Sequence, residues 1–280
     1  MQKSAYARRT SMTHRVIQLA KRLLALMIIS LILIFLSVVE ASPQTDFYPY
    51  YGKNRVKYDN FNWHIYTTDH FEIYYYPELE KELARVASYA ESAYQEISAS
   101  LRHDLPGIVP LVLFKTDSEF EQQNIIPGAS PEGVGAFAEP QRDRIVLPID
   151  ESPASLYRLI THELTHIFGF DIIPRSLISR NVPLWVDEGL ADYMTRSWRP
   201  LDLMQVRDVA VSDSVPSMTQ FENYGGYANA RVVYNLGHAV FEFIENRWDQ
   251  EGIRQFLFSL RRNIIGGGSD PYEEAFNISS

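Results

Sequence analysis

Two histidines four residues apart, with a glutamate directly after the first, stand in the stretch LITHELTHIFGFD at residues 159–171. Residues at i and i+4 of a helix lie one turn apart on the same face. His162 and His166 can therefore each aim an imidazole nitrogen at one ion about 2.0 to 2.1 Å away, while Glu163, one step round, faces the ion's open side. A carboxylate that neighbours an ion without ligating it is placed to take a proton from water, which a hydrolytic metal site requires. A chain of this composition carries His-Glu-x-x-His by chance about once in eighty cases, so a third ligand decides the matter.

The stretch NVPLWVDEGLADYM at residues 181–194 offers that ligand. Pro183 sits near a helix start, and Glu188 completes a His2Glu set that leaves a fourth position open. Asp192, one turn later, can accept the ring N–H of a ligand histidine and fix its tautomer. The 280 residues contain no cysteine, which excludes disulfides, iron-sulfur clusters, thiolate zinc sites and a cysteine nucleophile.

These side chains need rigid elements to hold them. Ser152 can cap the helix that carries the histidines, Pro153 fits its first position, and Gly169 is expected to end it. Leu156, Leu159, Ile160, Ile167 and Phe168 supply its buried face. Upstream, HIYTTDHFEIYYYP reads as a hairpin with Phe71, Ile73 and Tyr75 on one face. From Glu78 to Leu101, Leu79, Leu83, Val86, Ala90, Ala93, Tyr94 and Ile97 recur at helical spacing. IVPLVLFKT, GVGAFAEP and DRIVLPI read as three further strands, and after Asp150 only helices are expected. Strands first and helices second predict an α+β domain.

Residues 1–41 read as a leader. Lys3, Arg8, Arg9, Arg15, Lys21 and Arg22 precede an uncharged run at residues 23–39, and Val39 and Ala41 suit a signal-peptidase site. The segment is thus a signal peptide cleaved after Ala41 or an uncleaved membrane anchor, and residues 42–60 are a linker or irregular entry. Loss of six basic residues and one acidic residue with the leader shifts the formal net charge from −9 to about −14. Such an acidic domain does not suit nucleic acid; it suits an exported protein, periplasmic or extracellular, with the membrane met only through the N-terminal segment.

The order HELTH, with 21 residues between His166 and Glu188, followed by WVDEGLADY, resembles the gluzincin zinc metallopeptidases, in particular bacterial peptidase MA-like domains. The resemblance covers residues 60–280, so residues 61–280 are expected to form a zincin-like, thermolysin-like domain. It implies a mixed sheet with an antiparallel edge strand, followed by a helical subdomain. It also implies one Zn2+ per chain on His162, His166 and Glu188, with Glu163 as general base and Asp192 behind a ligand. The segment Gly135, Ala136 and Phe137 falls in the edge strand that pairs with a peptide or protein substrate in similar enzymes. Nothing matches the G-x-M-E-N motif of the related aminopeptidases, which weighs against that activity. In similar proteins such a domain precedes a β-propeller, which would follow residue 280; the chain stops in a helical pattern and reads as truncated at its C-terminus.

A donor is also needed where negative charge develops on the substrate. Tyr227 fits the tyrosine that opens this helix in the resembling domains, and Tyr224 and His238 are alternatives. On the same helix Val232, Leu236, Val240 and Phe243 are expected in the core, where a Tyr or His more often packs than acts. His64, His70 and His103 are read as structural. The first reading is a zinc peptidase; the second is a non-catalytic zincin-fold module for binding or envelope assembly, against which the intact Glu163 speaks.

Overall fold

The structure, a computed structural model, describes residues 21–24, 27, 59–123, 135–174, 182–223, 230–266 and 270–277. The chain divides into two compact units, residues 1–54 and 55–280. In the first, residues 21–24 and 27 are helical; the rest of the leader and residues 42–58 lie outside the described residues. No helix among the described residues is long and apolar enough to cross a membrane.

The second unit is of mixed α and β structure: its five strands, with two helices between them, all precede residue 150, and only helices follow among the described residues. Its sheet has the order β1-β2-β3-β5-β4, with β1 at His64–Thr67, β2 at Phe71–Tyr75, β3 at Val109–Phe114, β4 at Phe137–Glu139 and β5 at Arg144–Pro148. The β1/β2 and β4/β5 pairs are antiparallel, whereas β2/β3 and β3/β5 are parallel, so the mixed sheet has the expected antiparallel edge. β3 is apolar along its length because both its faces are covered. Leu111 and Leu113 join the main core with Ile145 and Leu147, while Val112 and Phe114 meet Phe120, Phe137 and Val146 on the other face.

Helix α1, Leu83–Leu101, connects the parallel strands β2 and β3, and a 3-10 turn at Pro77–Glu82 precedes it. The expected apolar series is buried from Leu79 to Ile97, although its first turn is 3-10 and not α. After the short α2, Asp117–Phe120, come α3 at Pro153–Ile172, α4 at Leu184–Met194, α5 at Pro200–Val211, α6 at Met218–Asn223, α7 at Ala230–Gly266 and α8 at Pro271–Phe276. α7 is broken at Asp249, whose φ is 56°.

α3 begins as the sequence predicts: Ser152 Oγ accepts from the Ser155 N–H, and Pro153 occupies the first turn. It does not stop at Gly169. Phe170 and Ile172 are buried and Asp171 pairs with His103 at 2.5 Å, so tertiary contacts carry the helix one turn further. Pro174 then ends it, since a residue before proline is driven out of the α region. Burial of Leu156, Ile160, Leu164 and Phe168, each worth about 1.5–3 kcal/mol, fixes which face of α3 turns inward. Leu159 is only half-buried.

α7 differs in phase from the expectation. Val233, Phe241 and Ile244 are fully buried, whereas Val232, Leu236 and Val240 are half-buried and Phe243 is exposed. Gly237 sets the phase, because α4 approaches α7 so closely there that only glycine fits.

Candidate metal centre

α3 and α4 bring three ligand atoms together. His162 Nε2 and His166 Nε2 are 3.3 Å apart; Glu188 Oε2 lies 3.3 Å from the first and 3.6 Å from the second. Among the described residues, these three form the group able to hold a metal ion. For bonds of about 2.0 to 2.1 Å, the edge of a tetrahedron is roughly 3.3 to 3.4 Å. The observed triangle fits one face of such a tetrahedron, with the fourth corner free.

The other ring nitrogens decide what the Nε2 atoms can do. His162 Nδ1 is 3.1 Å from Asp192 Oδ1, and His166 Nδ1 is 2.9 Å from Asp187 Oδ1. A carboxylate only accepts, so each Nδ1 carries a proton and donates it, and each Nε2 is left to hold either a proton or a metal bond. Burial alone pushes both histidines down, but hydrogen bonds reverse this, to Asp192 and Glu188 for His162 and to Asp187 and Glu188 for His166. Both are raised, His166 the more strongly. Two imidazolium groups with facing Nε2 atoms 3.3 Å apart repel one another, whereas one divalent cation satisfies both nitrogens and Glu188 together.

Glu163 is 6% exposed and is not among the three converging ligands. Burial raises its pKa against the opposing pull of His162 and His166, and the Ala138 backbone N–H donates to its carboxylate. Ala138 belongs to β4, so the edge of the sheet meets the acid that stands beside the ligands. Of the predicted edge segment, Phe137 lies in β4, while Gly135 and Ala136 only lead into it. The strand is shorter than expected because just three residues, Phe137 to Glu139, register with β5 before Pro140. Gly133 and Val134 lie outside the described residues.

Tyr227 and Tyr224 also lie outside the described residues. His238 is not among the three converging ligands; it is 3% exposed and stacks flat on Trp198 at 3.8 Å. Burial pushes it down to about 4, so it is neutral near pH 7.

Four residues that the sequence reading passed over join the centre. Asp187 directly precedes Glu188 and orients His166. Arg158, one turn before His162 on the same helix, donates to Asp192 at 2.7 Å, and Arg231 of α7 lies 2.9 Å from the other Asp192 oxygen. Tyr234 of α7 lies near Glu188: burial, followed by the charge of Glu188, raises its hydroxyl pKa. Arg158 was accessible to sequence reasoning, as positions 158, 162 and 166 form one helical stripe. Tyr234 and Arg231 carried no such signal, since they depend on how α7 crosses α4. Compared with known protein families and with curated proteins, the chain matches no family model and no curated protein.

Proposed function

We propose that this protein is a zinc-dependent peptidase of gluzincin type, with a zincin-like domain that hydrolyses peptide bonds of an exported or extracellular substrate. The observation that carries the reading is the triangle of His162, His166 and Glu188, whose edges of 3.3 to 3.6 Å match the face of a tetrahedral zinc site. Zinc bound there supplies Lewis acidity toward a peptide carbonyl and toward water.

The chain's own residues do the rest. Glu163, beside the ligands and with a raised pKa, takes the proton of the attacking water and returns it to the leaving amine. Asp187 and Asp192 hold the two imidazoles in the tautomer that presents Nε2. β4 lies at the end of the sheet, antiparallel to β5 on one side, and among the described residues no strand pairs with its other edge, where an extended peptide would add. Tyr234, whose hydroxyl lies near Glu188, is the donor for charge developing on the carbonyl oxygen. A non-catalytic module needs no buried acid with a raised pKa one step from a ligand, and Glu163 therefore favours the enzyme.

The test is zinc content by elemental analysis together with cleavage of a peptide library by the same full-chain preparation. Close to one zinc per chain and cleavage that a chelator abolishes are expected. Zinc without cleavage of any peptide would leave the non-catalytic module standing in its place.

A further inference from the structure

We propose that Arg158 and Arg231 are positioning residues of the metal centre: together they hold the Asp192 carboxylate that orients His162, and Arg231 extends that hold to α5 through Asp202. The inference rests on the metal-site reading above and concerns what keeps the site in shape.

Asp192 is 1% exposed, and an isolated carboxylate that deep is costly unless each oxygen has a partner. Its Oδ1 receives the His162 ring N–H at 3.1 Å and Arg158 Nη2 at 2.7 Å. Its Oδ2 faces Arg231 Nη2 at 2.9 Å as an ion-pair contact. The carboxylate is thus hydrogen-bonded at Oδ1 by the helix that carries His162, while Oδ2 accepts no hydrogen bond among the described residues and is balanced by the charge of Arg231 on α7.

Arg231 is itself fixed. Its Nε donates to Asp202 Oδ1 at 3.1 Å and its Nη2 to Asp202 Oδ2 at 2.5 Å, a two-pronged geometry that lysine does not reproduce. Asp202 is the one buried residue of α5. Asn235, one turn after Arg231, adds contacts to Asp202 at 3.4 Å and to Gln205 at 2.8 Å. Leu201, Met204 and Val211 of α5 are exposed and Leu203, Val206 and Val209 only partly buried, so the fully buried anchor of this helix is the polar Asp202. Four helices thus converge on two buried carboxylates, with Arg231 shared between them.

Charge gives the arrangement a purpose. Glu163, Asp187, Glu188 and Asp192 place four carboxylates around the triangle. A divalent ion and the two guanidiniums offset most of this charge and that of Asp202, which shares Arg231, and without the arginines Asp192 would turn away and release His162.

The experiment measures zinc affinity by chelator competition, and melting of the metal-free form, on the full chain and on Arg158→Met, Arg231→Met, Arg231→Lys, Asp202→Asn and Asp192→Asn. Asp192→Asn should weaken zinc about 10- to 100-fold, as loss of a ligand's orienting partner does. Each Arg→Met change should weaken it about 10-fold, with Arg231→Lys in between, and Arg231→Met should add little in the Asp192→Asn background because both act through one carboxylate. Asp202→Asn should weaken zinc about 3-fold and serves if Arg231→Met fails to fold. Lower melting temperatures with unchanged zinc affinity in both arginine variants would overturn this proposal alone. A parent chain that binds no zinc would overturn it together with the metal-site reading.

Discussion

Gly189 and Gly237 meet backbone to backbone: a Cβ on Gly189 would lie 2.6 Å from both Cα and the carbonyl carbon of Gly237, and one on Gly237 would run into the Trp185 carbonyl oxygen. This contact seats α4 on α7 directly beside Glu188, which shares its turn with Gly189. The close approach also brings Tyr234 and Arg231 to the ligand triangle.

Gly237→Ala should therefore destabilise the protein by about 1–3 kcal/mol or more, because the added methyl meets backbone that has no rotamer to yield. It should also weaken zinc binding, as the shift needed to relieve the clash moves the helix that carries Glu188. Denaturant unfolding and chelator competition on one preparation check both effects; unchanged stability would mean that the helices are further apart than described.

Glu163→Gln should keep zinc, since His162, His166 and Glu188 are untouched, and should keep the fold, since glutamine has nearly the same shape. Peptide hydrolysis should fall by about 10²- to 10⁴-fold for want of a proton acceptor. Metal content and turnover are measured side by side; loss of zinc would make Glu163 a structural residue.

Tyr234→Phe and His238→Phe separate the donor at the triangle from the histidine behind it. Removal of the Tyr234 hydroxyl should lower kcat by about 10²-fold or more at unchanged zinc content. His238→Phe preserves a flat ring against Trp198 and should leave kcat within about threefold of the parent, because that ring is not among the three converging ligands. The reverse ranking of the two variants would assign the donor role to His238.

Stability of the metal-free protein should fall as pH rises above about 6.5. Despite burial, His162 and His166 are held above the ordinary value of about 6.5 by Asp192, Asp187 and Glu188. Their contribution is fully present below pH about 6.5 and is lost as pH climbs through the raised values. Glu163, raised by burial, acts in the same direction from about pH 4.5 upward. Zinc competes for the Nε2 positions that hold these protons, so zinc affinity should rise over the same range. Melting curves of chelated and zinc-loaded protein across this range read both slopes, and metal-free stability that rises with pH would contradict the histidine environment described.

Local rules of chain geometry made much of this protein legible in its sequence. The helical repeat placed His162 and His166 on one face, Ser152 and Pro153 marked where their helix starts, and the apolar spacing from Leu79 to Ile97 described the buried stripe of α1. Glu188 and Asp192 were readable because they too sit one turn apart on one short helix. The extent of α3 was not, since Gly169 marks a stop that buried Phe170 and Ile172 override. Nor was the inward face of α7, where apolar residues occur all round and the contact between Gly237 and Gly189 selects the phase. Asp187 reaches His166 only because α3 and α4 pack together, and Arg231 and Tyr234 reach Asp192 and Glu188 only because α4 and α7 cross where they do. Periodicity follows from the covalent geometry of a single segment, whereas the meeting of side chains from separate helices depends on packing distances that no segment encodes alone.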